Sequence, residues 1–223
     1  MLIAVITSLL IAFGIWPAVN MVSLPVLSNT GSPNSGNKRV SVLVPLRNEE
    51  KNIPNLLKSL ENLTYSNTEY LLLDDQSDDN TLSLLEKGTC DWSNIKIIHG
   101  KPLPKGWSGK VHACHQLSGK AGGEIYFFLD ADVSLHPETI TAVSALLEKS
   151  QAGMVTGFPH FPIKGLLSSI LVPMQHFLVY FHLPIRRANT SLHPAFTAAH
   201  GSFIAVFFFS YFLCLCPEKR MYH

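Results

Sequence analysis

The feature that most constrains this chain is a run of apolar residues that ends in two acids. Residues 125–129 are Ile-Tyr-Phe-Phe-Leu, and Asp130-Ala131-Asp132 follow directly. An unbroken apolar run of this length is typical of a strand buried on both faces, as in a parallel sheet covered by helices. Open sheets of this kind bind ligands outside the carboxyl ends of their strands. The stretch therefore predicts an α/β protein whose binding site includes Asp130 and Asp132.

The two acids predict a site for Mg²⁺ or Mn²⁺. Carboxylates two residues apart lie on one side of an extended backbone, and such cations are usually held by one or two carboxylates and completed by substrate phosphates. A competing interpretation is an Asp-x-Asp surface turn, in which the acids only cap a helix or are solvated. The position of Asp130 and Asp132 directly after a buried strand favours the metal site, with a nucleotide diphosphate as the expected ligand.

The region after residue 38 alternates predicted strands with predicted helices. Apolar runs predict strands at residues 40–44, 70–73, 95–98 and 125–129. Apolar residues at helical spacing, such as Ile53, Leu56, Leu57 and Leu60, predict amphipathic helices between them. This alternation predicts a mostly parallel sheet with helices on both faces.

Three of the predicted strands are followed by polar groups that can bind a ligand. They are residues 45–49 (Pro-Leu-Arg-Asn-Glu), Asp74-Asp75 and Asp130-Ala131-Asp132. Acids after a strand also cap helices or favour the positive end of a helix dipole, so any one of the three has an ordinary explanation. No G-x-G-x-x-G and no G-x-x-x-x-G-K-[ST] is present, which excludes the usual dinucleotide and P-loop sites. A metal ion and a basic side chain are then expected to hold the diphosphate.

The amino-terminal region predicts attachment to a membrane. The first 27 residues contain no charged side chain, and they form either a signal peptide or, as we expect, a retained transmembrane anchor. Residues 28–37 form a polar linker rich in Ser, Asn and Gly. Four basic residues follow within residues 38–51, so the positive-inside tendency places the main domain on the cytoplasmic side of the plasma membrane. The net charge of +1 without a basic run gives no reason to expect nucleic acid as a partner.

Three motifs together resemble family 2 glycosyltransferases of the GT-A fold. They are Val44-Pro45-Leu46-Arg47-Asn48-Glu49-Glu50, Leu73-Asp74-Asp75-Gln76-Ser77-Asp78-Asp79-Asn80-Thr81 and Phe128-Leu129-Asp130-Ala131-Asp132. Residues 102–110 and 197–201 are similar to a narrower branch, the membrane-bound enzymes associated with hopanoid and carotenoid glycosylation. The resemblance implies a glycosyltransferase domain at residues 38–202, a UDP-sugar donor, a lipid or polyprenoid acceptor and inversion at the sugar.

The resemblance also implies a role for each matched residue. Pro45, Arg47 and Glu49 match the first nucleotide-binding loop, Asp75 matches the acid that binds the uracil edge, and Asp74 is expected to orient that loop. Lys110 matches the basic residue near the diphosphate, Asp130 lies by the ribose or the metal, and Asp132 ligates the metal and so takes part in catalysis. His200 belongs to the segment expected on the acceptor side, and it is the second catalytic candidate.

Two departures from the family pattern affect these expectations. Gln76 stands where the family commonly has Gly. The family's general base is an acid after the His-Gly segment, whereas residues 203–223 read as an apolar tail in which Glu218 is the single acid. We therefore expect either an active membrane-anchored hexosyltransferase or, as the alternative, an impaired fragment with a shortened or altered end that binds donor and acts as a binding or partner subunit.

Residues 166–184 form a second uncharged stretch, interrupted by Pro173, Gln175, His176 and His182. The stretch is marginal as a membrane span. Two interpretations remain open with equal weight: an amphipathic element on the membrane surface near a lipid acceptor, and a core helix under a missing part of the domain.

Overall fold

The computed structural model describes residues 1–24, 27, 38–157, 163, 165–191, 193 and 199–215. These residues form two compact units. One contains residues 1–24, 163, 165–191, 193 and 199, and the other contains residues 27, 38–157 and 200–215. The linker predicted at residues 28–37 lies outside the described residues.

The elements alternate in the order that the sequence predicts. In chain order they are α1 (Leu2–Val22), β1 (Val40–Leu46), α2 (Ile53–Glu61), β2 (Thr68–Asp74), α3 (Thr81–Gly88), β3 (Ile95–His99), α4 (Gly109–Ser118), β4 (Ile125–Leu129), α5 (Thr139–Ser150), β5 (Met154–Thr156), α6 (Gly165–His182), α7 (Ile185–Ala188), β6 (Phe203–Phe207) and α8 (Phe208–Leu215). The four predicted strands are confirmed, each within two residues at either end. Strands β5 and β6 were not predicted.

The strands form one six-stranded sheet in the order β3-β2-β1-β4-β6-β5. Strand β1 pairs in parallel with both β2 and β4, and β2 pairs in parallel with β3. Strand β6 runs antiparallel to both of its neighbours, β4 and β5. The mostly parallel α/β sheet predicted from the sequence is therefore confirmed.

Strand β4 is buried on both faces because each face packs against its own hydrophobic core. Phe127 and Leu129 belong to one core together with residues of α2, α3 and α5. Tyr126 and Phe128 belong to a second core together with residues of α4 and Tyr211. Successive side chains of a strand point to opposite faces, so both alternating sets in β4 must be apolar.

The structure corrects the prediction of an apolar tail that starts at residue 203. Residues 203–207 form strand β6 between β4 and β5, and Leu129 pairs with Phe203. Tyr211 of α8 is 8% exposed, and its ring stacks on Phe128 with 5.4 Å between the ring centroids. Strand β6 and Tyr211 thus belong to the core, because a strand in the middle of a covered sheet needs apolar side chains on both faces.

Helices α1, α6 and α7 form the other compact unit. Helix α6 packs with α1 in this unit. Helix α6 contains no buried residue, and both interpretations of residues 166–184, the amphipathic element and the core helix under a missing part of the domain, stay predictions. Within the described part of the chain, α1 is the one helix long and apolar enough to cross a membrane, a test that a signal sequence also meets.

A buried carboxylate joins three segments at the amino end of the sheet. Glu69 of β2 is 4% exposed, and its Oε1 accepts hydrogen bonds of 2.6 Å from both Ser41 Oγ and Gly122 N. Its Oε2 lies 2.8 Å from Arg39 Nη2. Burial would raise the pKa of Glu69, but these hydrogen bonds and the charge of Arg39 outweigh it and lower the pKa below 4.5. Gly123 completes the junction, because a Cβ there would lie 2.6 Å from Ser41 Oγ.

We expect Glu69→Gln to lower the free energy of unfolding by about 1.5–3 kcal/mol at pH 7, the usual size for a hydrogen-bonded charge. A group whose pKa is lowered in the native state stabilises above its unfolded pKa and loses that contribution as the pH falls through the native value. The difference between Glu69→Gln and the wild type should therefore shrink below about pH 4.5. Thermal unfolding of the full chain in detergent at pH 7 and pH 3.5 measures this. Glu61→Gln, at an exposed position of α2, is the control. If Glu69→Gln differed from the wild type by the same free energy of unfolding at pH 7 and at pH 3.5, the assignment of Glu69 as an ionised, stabilising group would be wrong.

Candidate active site

The residues selected from the sequence lie at one edge of the sheet. Strands β1, β2 and β4 are parallel, so their carboxyl ends meet at this edge. Pro45 lies in β1, Arg47 and Glu49 follow β1, Asp74 ends β2, Asp75 follows it, and Asp130 and Asp132 follow β4. Strand β6 is antiparallel and begins at the same edge, which places His200 there as well.

Asp75 is fixed in position by the backbone around it. Its N–H donates to the carbonyl of Leu46 at 2.7 Å, which ties the end of β2 to the end of β1. Gly100 N donates to the carbonyl of Asp74 at 2.8 Å, and a Cβ on Gly100 would lie 3.0 Å from Asp75 Oδ1. A Cβ on Gly109 would lie 3.7 Å from Asp75 Oδ2. The carboxylate of Asp75 therefore lies beside two glycines that leave room around it.

Asp74 faces inward, unlike its neighbour. It is 6% exposed, and its Oδ2 accepts a 3.4 Å hydrogen bond from Ser77 N. Its Oδ1 is buried and has no hydrogen-bond partner among the described residues. The contact with Ser77 joins the end of β2 to the turn that follows it, and the role of Asp74 in orienting that turn stays a prediction.

The loop after β1 (residues 47–52) and the loop after β2 (residues 75–80) are joined by reciprocal hydrogen bonds. Asn48 N donates to Ser77 Oγ at 2.9 Å, and Asp78 N donates back to Asn48 Oδ1 at 2.8 Å. Glu50 N donates to Asp79 Oδ2 at 3.2 Å, and Glu50 Oε2 accepts from Asn80 N at the same distance. Each loop therefore both donates to and accepts from the other.

Thr81 is the buried centre of this junction. It is fully buried, and its Oγ1 accepts a 2.8 Å hydrogen bond from Glu49 N while donating to Asp79 Oδ1 at 2.5 Å. Desolvation would raise the pKa of Asp79, but hydrogen bonds from the Thr81 hydroxyl and from the backbone N–H groups of Thr81 and Glu50 lower it. Asp79 is consequently an ionised hydrogen-bond acceptor that holds the first turn of α3 to both loops.

Both loops contain a residue in the left-handed backbone region. Asn48 has φ 56° and Gln76 has φ 59°. Asn tolerates this region because its short side chain makes local hydrogen bonds, whereas Gln has no such advantage over glycine. The Gly common to the family at position 76 thus matches the backbone that the turn adopts.

Lys110 and Asp130 form an ion pair next to the start of β6. Lys110 Nζ lies 2.7 Å from Asp130 Oδ1 and 2.9 Å from Oδ2, and it donates to the carbonyl of Gly201 at 3.3 Å. Asp130 N donates to the carbonyl of Ser202 at 3.1 Å. These contacts bring α4, β4 and the segment before β6 to one point, although 91 residues separate Lys110 from Gly201.

The acids after β4 fit the way proteins hold Mg²⁺ or Mn²⁺ together with a phosphate ligand. Asp132 is exposed and makes no hydrogen bond or ion pair among the described residues, whereas both oxygens of Asp130 contact Lys110. The described part of the chain contains no cluster of three or more His, Cys, Asp or Glu side chains that could hold a metal. A site built from one or two carboxylates and completed by phosphate oxygens needs no such cluster.

His200 is held by side chains that flank β6. Its Nδ1 lies 2.6 Å from Ser202 Oγ, and its backbone N–H donates to Thr156 Oγ1 at 2.9 Å. Thr156 Oγ1 in turn donates to the carbonyls of His200 and Phe203 at 3.1 and 2.9 Å. The imidazole therefore has a fixed position at the edge that also contains Asp130.

Cys114 lies on α4 one turn after Lys110, and its thiol is unreactive. Burial raises the pKa of its thiol to about 11, with opposing effects from Lys110 and Asp130. The thiol is neutral at pH 7 and is not a nucleophile. Cys90 is also a free thiol.

Several residues with a place in this site were not selected from the sequence. They are Thr81, Gly100, Ser202 and Thr156. Thr81 lies inside a matched motif, so its position was visible although its role was not. The other three have no local pattern that distinguishes them, because their contacts join segments far apart in the chain.

The family model for glycosyl transferase family 2 matches residues 41–211, which include all six strands of the sheet except Val40, the first residue of β1. The chain belongs to glycosyl transferase family 2. The match extends through β6 and into α8, in agreement with the place of residues 203–211 in the core.

Curated relatives in this family include enzymes named for lipid acceptors. The chain is 29% identical to 4,4'-diaponeurosporenoate glycosyltransferase of Staphylococcus haemolyticus over 149 residues, which cover 65% of this chain and 36% of the relative. It is 32% identical to beta-monoglucosyldiacylglycerol synthase of Nostoc sp. over 118 residues, which cover 52% of this chain and 25% of the relative. The chain therefore spans about a third or less of these relatives. The first of them fits the narrower resemblance found in the sequence.

Solved structures establish the fold of this family 2 chain as GT-A. A mannosyltransferase from Pyrobaculum calidifontis in complex with GDP-Man and Mn²⁺ matches 92% of this chain and 56% of its own, with a TM-score of 0.61 at 19% identity. Glucosyl-3-phosphoglycerate synthase of Mycobacterium tuberculosis matches 83% of this chain and 62% of its own, with a TM-score of 0.52 at 18% identity.

We expect Thr81→Val to weaken UDP binding about tenfold, which corresponds to about 1.4 kcal/mol, because Glu49 N and Asp79 Oδ1 would both lose a buried partner. Thr81→Ser keeps the hydroxyl and should restore the affinity. Titration calorimetry of the full chain in detergent measures both variants. Thr89→Val is the matched control, since Thr89 lies at the far end of α3 and its hydroxyl bonds only to its own helix, at Leu85 O. Equal UDP affinity in Thr81→Val and Thr89→Val would contradict a role for the junction in binding.

Proposed function

We propose that this chain transfers a hexose from a UDP-sugar to a hydroxyl or carboxyl group of a lipid or polyprenoid acceptor at a membrane, with Mg²⁺ or Mn²⁺. The observation that supports this proposal best is the meeting of Asp75, Lys110, Asp130 and His200 at one edge of the sheet. Base recognition, diphosphate binding and acceptor activation each require a group of a different chemical type. This edge supplies all of them from four separate segments.

The donor's nucleoside is assigned to the two joined loops. Asp75 would accept a hydrogen bond from the uracil edge, in the space that Gly100 and Gly109 leave beside its carboxylate. Arg47 is exposed directly after β1 and would meet the nucleotide from the other loop. Because the loops are joined through Thr81 and Asp79, the two halves of the nucleoside site are positioned before the donor arrives.

The diphosphate is assigned to Lys110 and to the acids after β4. Asp132, with Asp130, would hold the divalent cation, which neutralises negative charge on the departing UDP when bound. Lys110 would donate to the phosphate oxygens on which negative charge develops as the glycosidic bond to the leaving group breaks. When the donor binds, Lys110 would exchange its partner Asp130 for a phosphate oxygen. The ammonium group of Lys110 would then be paired with an anion both before and after donor binding.

The acceptor is assigned to a lipid at the cytoplasmic side of the plasma membrane. One relative is named for diaponeurosporenoate, and another is named for the lipid monoglucosyldiacylglycerol that it makes. Helix α1 is uncharged over 21 residues and is exposed along most of its length, as expected of a helix surrounded by lipid. The basic residues that follow it within residues 38–51 favour the cytoplasmic side for the sheet.

His200 is the proposed general base. In the tautomer with the proton on Nδ1, the ring donates to Ser202 Oγ and Nε2 is the basic nitrogen that can take the acceptor's proton. The family's usual base is a carboxylate after the His-Gly segment, and residues 202–215 contain no Asp or Glu because they form the apolar strand β6 and helix α8. This observation favours a second function, donor binding with slow or no transfer.

We expect UDP to bind more tightly with Mn²⁺ than without it, and Asp132→Asn to remove most of this difference by weakening a metal ligand. Titration calorimetry of the full chain in detergent, with and without Mn²⁺, measures the difference. Asp91→Asn, at an exposed site between α3 and β3, is the control and should behave as the wild type. A UDP affinity that does not depend on Mn²⁺ in the wild type would count against the metal.

We expect His200→Asn to lower the rate of transfer to a lipid acceptor by about 10²–10⁴-fold, the usual contribution of a positioned base, while UDP affinity stays the same. Radiolabelled transfer and UDP titration on the same preparation separate the two effects. His182→Asn, on α6, is the matched control. If the wild type binds UDP but transfers as slowly as His200→Asn, the second function is the correct one.

A further inference from the structure

At the carboxyl end of α6, carbonyl groups of the last turn have no N–H donor within the helix. In an α-helix the carbonyl of residue 180 would accept from the N–H of residue 184, but Pro184 has no N–H. Helix α7 begins anew at Ile185, so the carbonyls of Tyr180 and Phe181 belong to the unsatisfied last turn of α6.

Side chains of α1 supply the missing donors. Asn20 Nδ2 donates to Tyr180 O at 2.7 Å, and Trp16 Nε1 donates to Phe181 O at 2.9 Å. The bonded residues are separated by 160 positions in the first pair and by 165 in the second, so these hydrogen bonds arise from tertiary packing and not from local geometry. Asn20 is 4% exposed, and a buried amide of this kind is costly unless it is hydrogen-bonded.

The contacts with α6 lie along one stripe of α1. Phe13, Trp16, Pro17 and Asn20 follow the i, i+3, i+4, i+7 spacing of one helix face. Pro17 and Asn20 are the two buried residues of α1, and the Phe13 ring lies 4.7 Å from the Phe181 ring, centroid to centroid. Helix α1 thus has a specific packing face for α6, which a leader peptide destined for removal does not need.

The remaining surface of α6 is apolar and exposed. Residues 165–182 contain no Asp, Glu, Lys or Arg, and Arg186 and Arg187 follow in α7. The exposed large side chains are Leu166, Leu167, Ile170, Leu171, Met174 and Leu178. An uncharged apolar helix followed by two arginines suits a position against acyl chains with the guanidinium groups at anionic headgroups.

We propose that α1 stays in the mature protein as the structural partner of α6, and that through Trp16 and Asn20 it holds the apolar side chains of α6 in the bilayer. The inference rests on the proposed membrane function and adds a second membrane-contacting element to it. Removal of α1 would leave the carbonyls of Tyr180 and Phe181 without donors in apolar surroundings, which is costly. The lipid contact of α6 therefore depends on α1.

The test places an environment-sensitive fluorophore on Ile170→Cys in the full chain, with the other four cysteines replaced by Ala, in vesicles of phosphatidylcholine and phosphatidylglycerol. We expect strong quenching by lipids brominated on their acyl chains and little quenching by iodide in the buffer. The same fluorophore on Lys58→Cys, at an exposed site of α2, should show the reverse. Iodide quenching at position 170 equal to that at position 58 would overturn the proposal.

A matched pair of α1 variants tests the role of the hydrogen bonds. Asn20→Leu keeps α1 apolar but removes the donor to Tyr180, and it should reduce lipid quenching at position 170 several-fold. Thr7→Leu also removes a polar side chain from α1, but Thr7 bonds only to Ile3 O of its own helix, so quenching should stay the same. Equal quenching in the two variants, or an intact mass that lacks residues 1–20, would overturn the proposal.

UDP titration on the same samples reports the proposed function separately: lost UDP binding with retained lipid quenching contradicts that function and supports the α1–α6 contact.

Discussion

The burial of β4 on both faces is the constraint on which the rest of the sheet unit depends. Tyr126 and Phe128 need one apolar layer and Phe127 and Leu129 need another, so helices must cover both sides of the sheet. With both faces closed, the carboxyl edge is where polar groups can meet a ligand. The acids Asp130 and Asp132 lie at this edge because they directly follow the carboxyl end of β4.

The candidate site is a set of loops whose positions are fixed by one another. Thr81 and Asp79 join the loops after β1 and β2, and the ion pair of Lys110 with Asp130 joins α4 to β4 and to Gly201. Lys110 and Asp130 are paired with each other, whereas the side chains of Asp132 and Arg47 are exposed, so a charged ligand would meet both kinds of charge at this edge. This arrangement suits a donor that is itself strongly charged and must leave after the reaction.

The helical unit follows a different physical rule from the sheet unit. Its surface is apolar, and its specificity comes from a few polar contacts, chiefly Asn20 and Trp16 with the end of α6. In a bilayer an unsatisfied carbonyl has no water to bond, so a donor from a neighbouring helix becomes a strong determinant of packing. Pro184 creates this requirement by ending α6 without a donor of its own.

The sequence by itself determined the α/β alternation, the four strands β1 to β4 and the placement of the acids at their ends, because local periodicity and strand burial are recorded in consecutive residues. It did not determine the place of residues 203–207: an apolar run of five has the same composition in a tail as in a central strand, and only pairing with Leu129 and its neighbours decides between them. The same holds for Thr81, Ser202 and Asn20, whose partners lie far along the chain. Long-range hydrogen bonds and antiparallel pairing leave no periodic pattern in the sequence, so only the tertiary structure decided them.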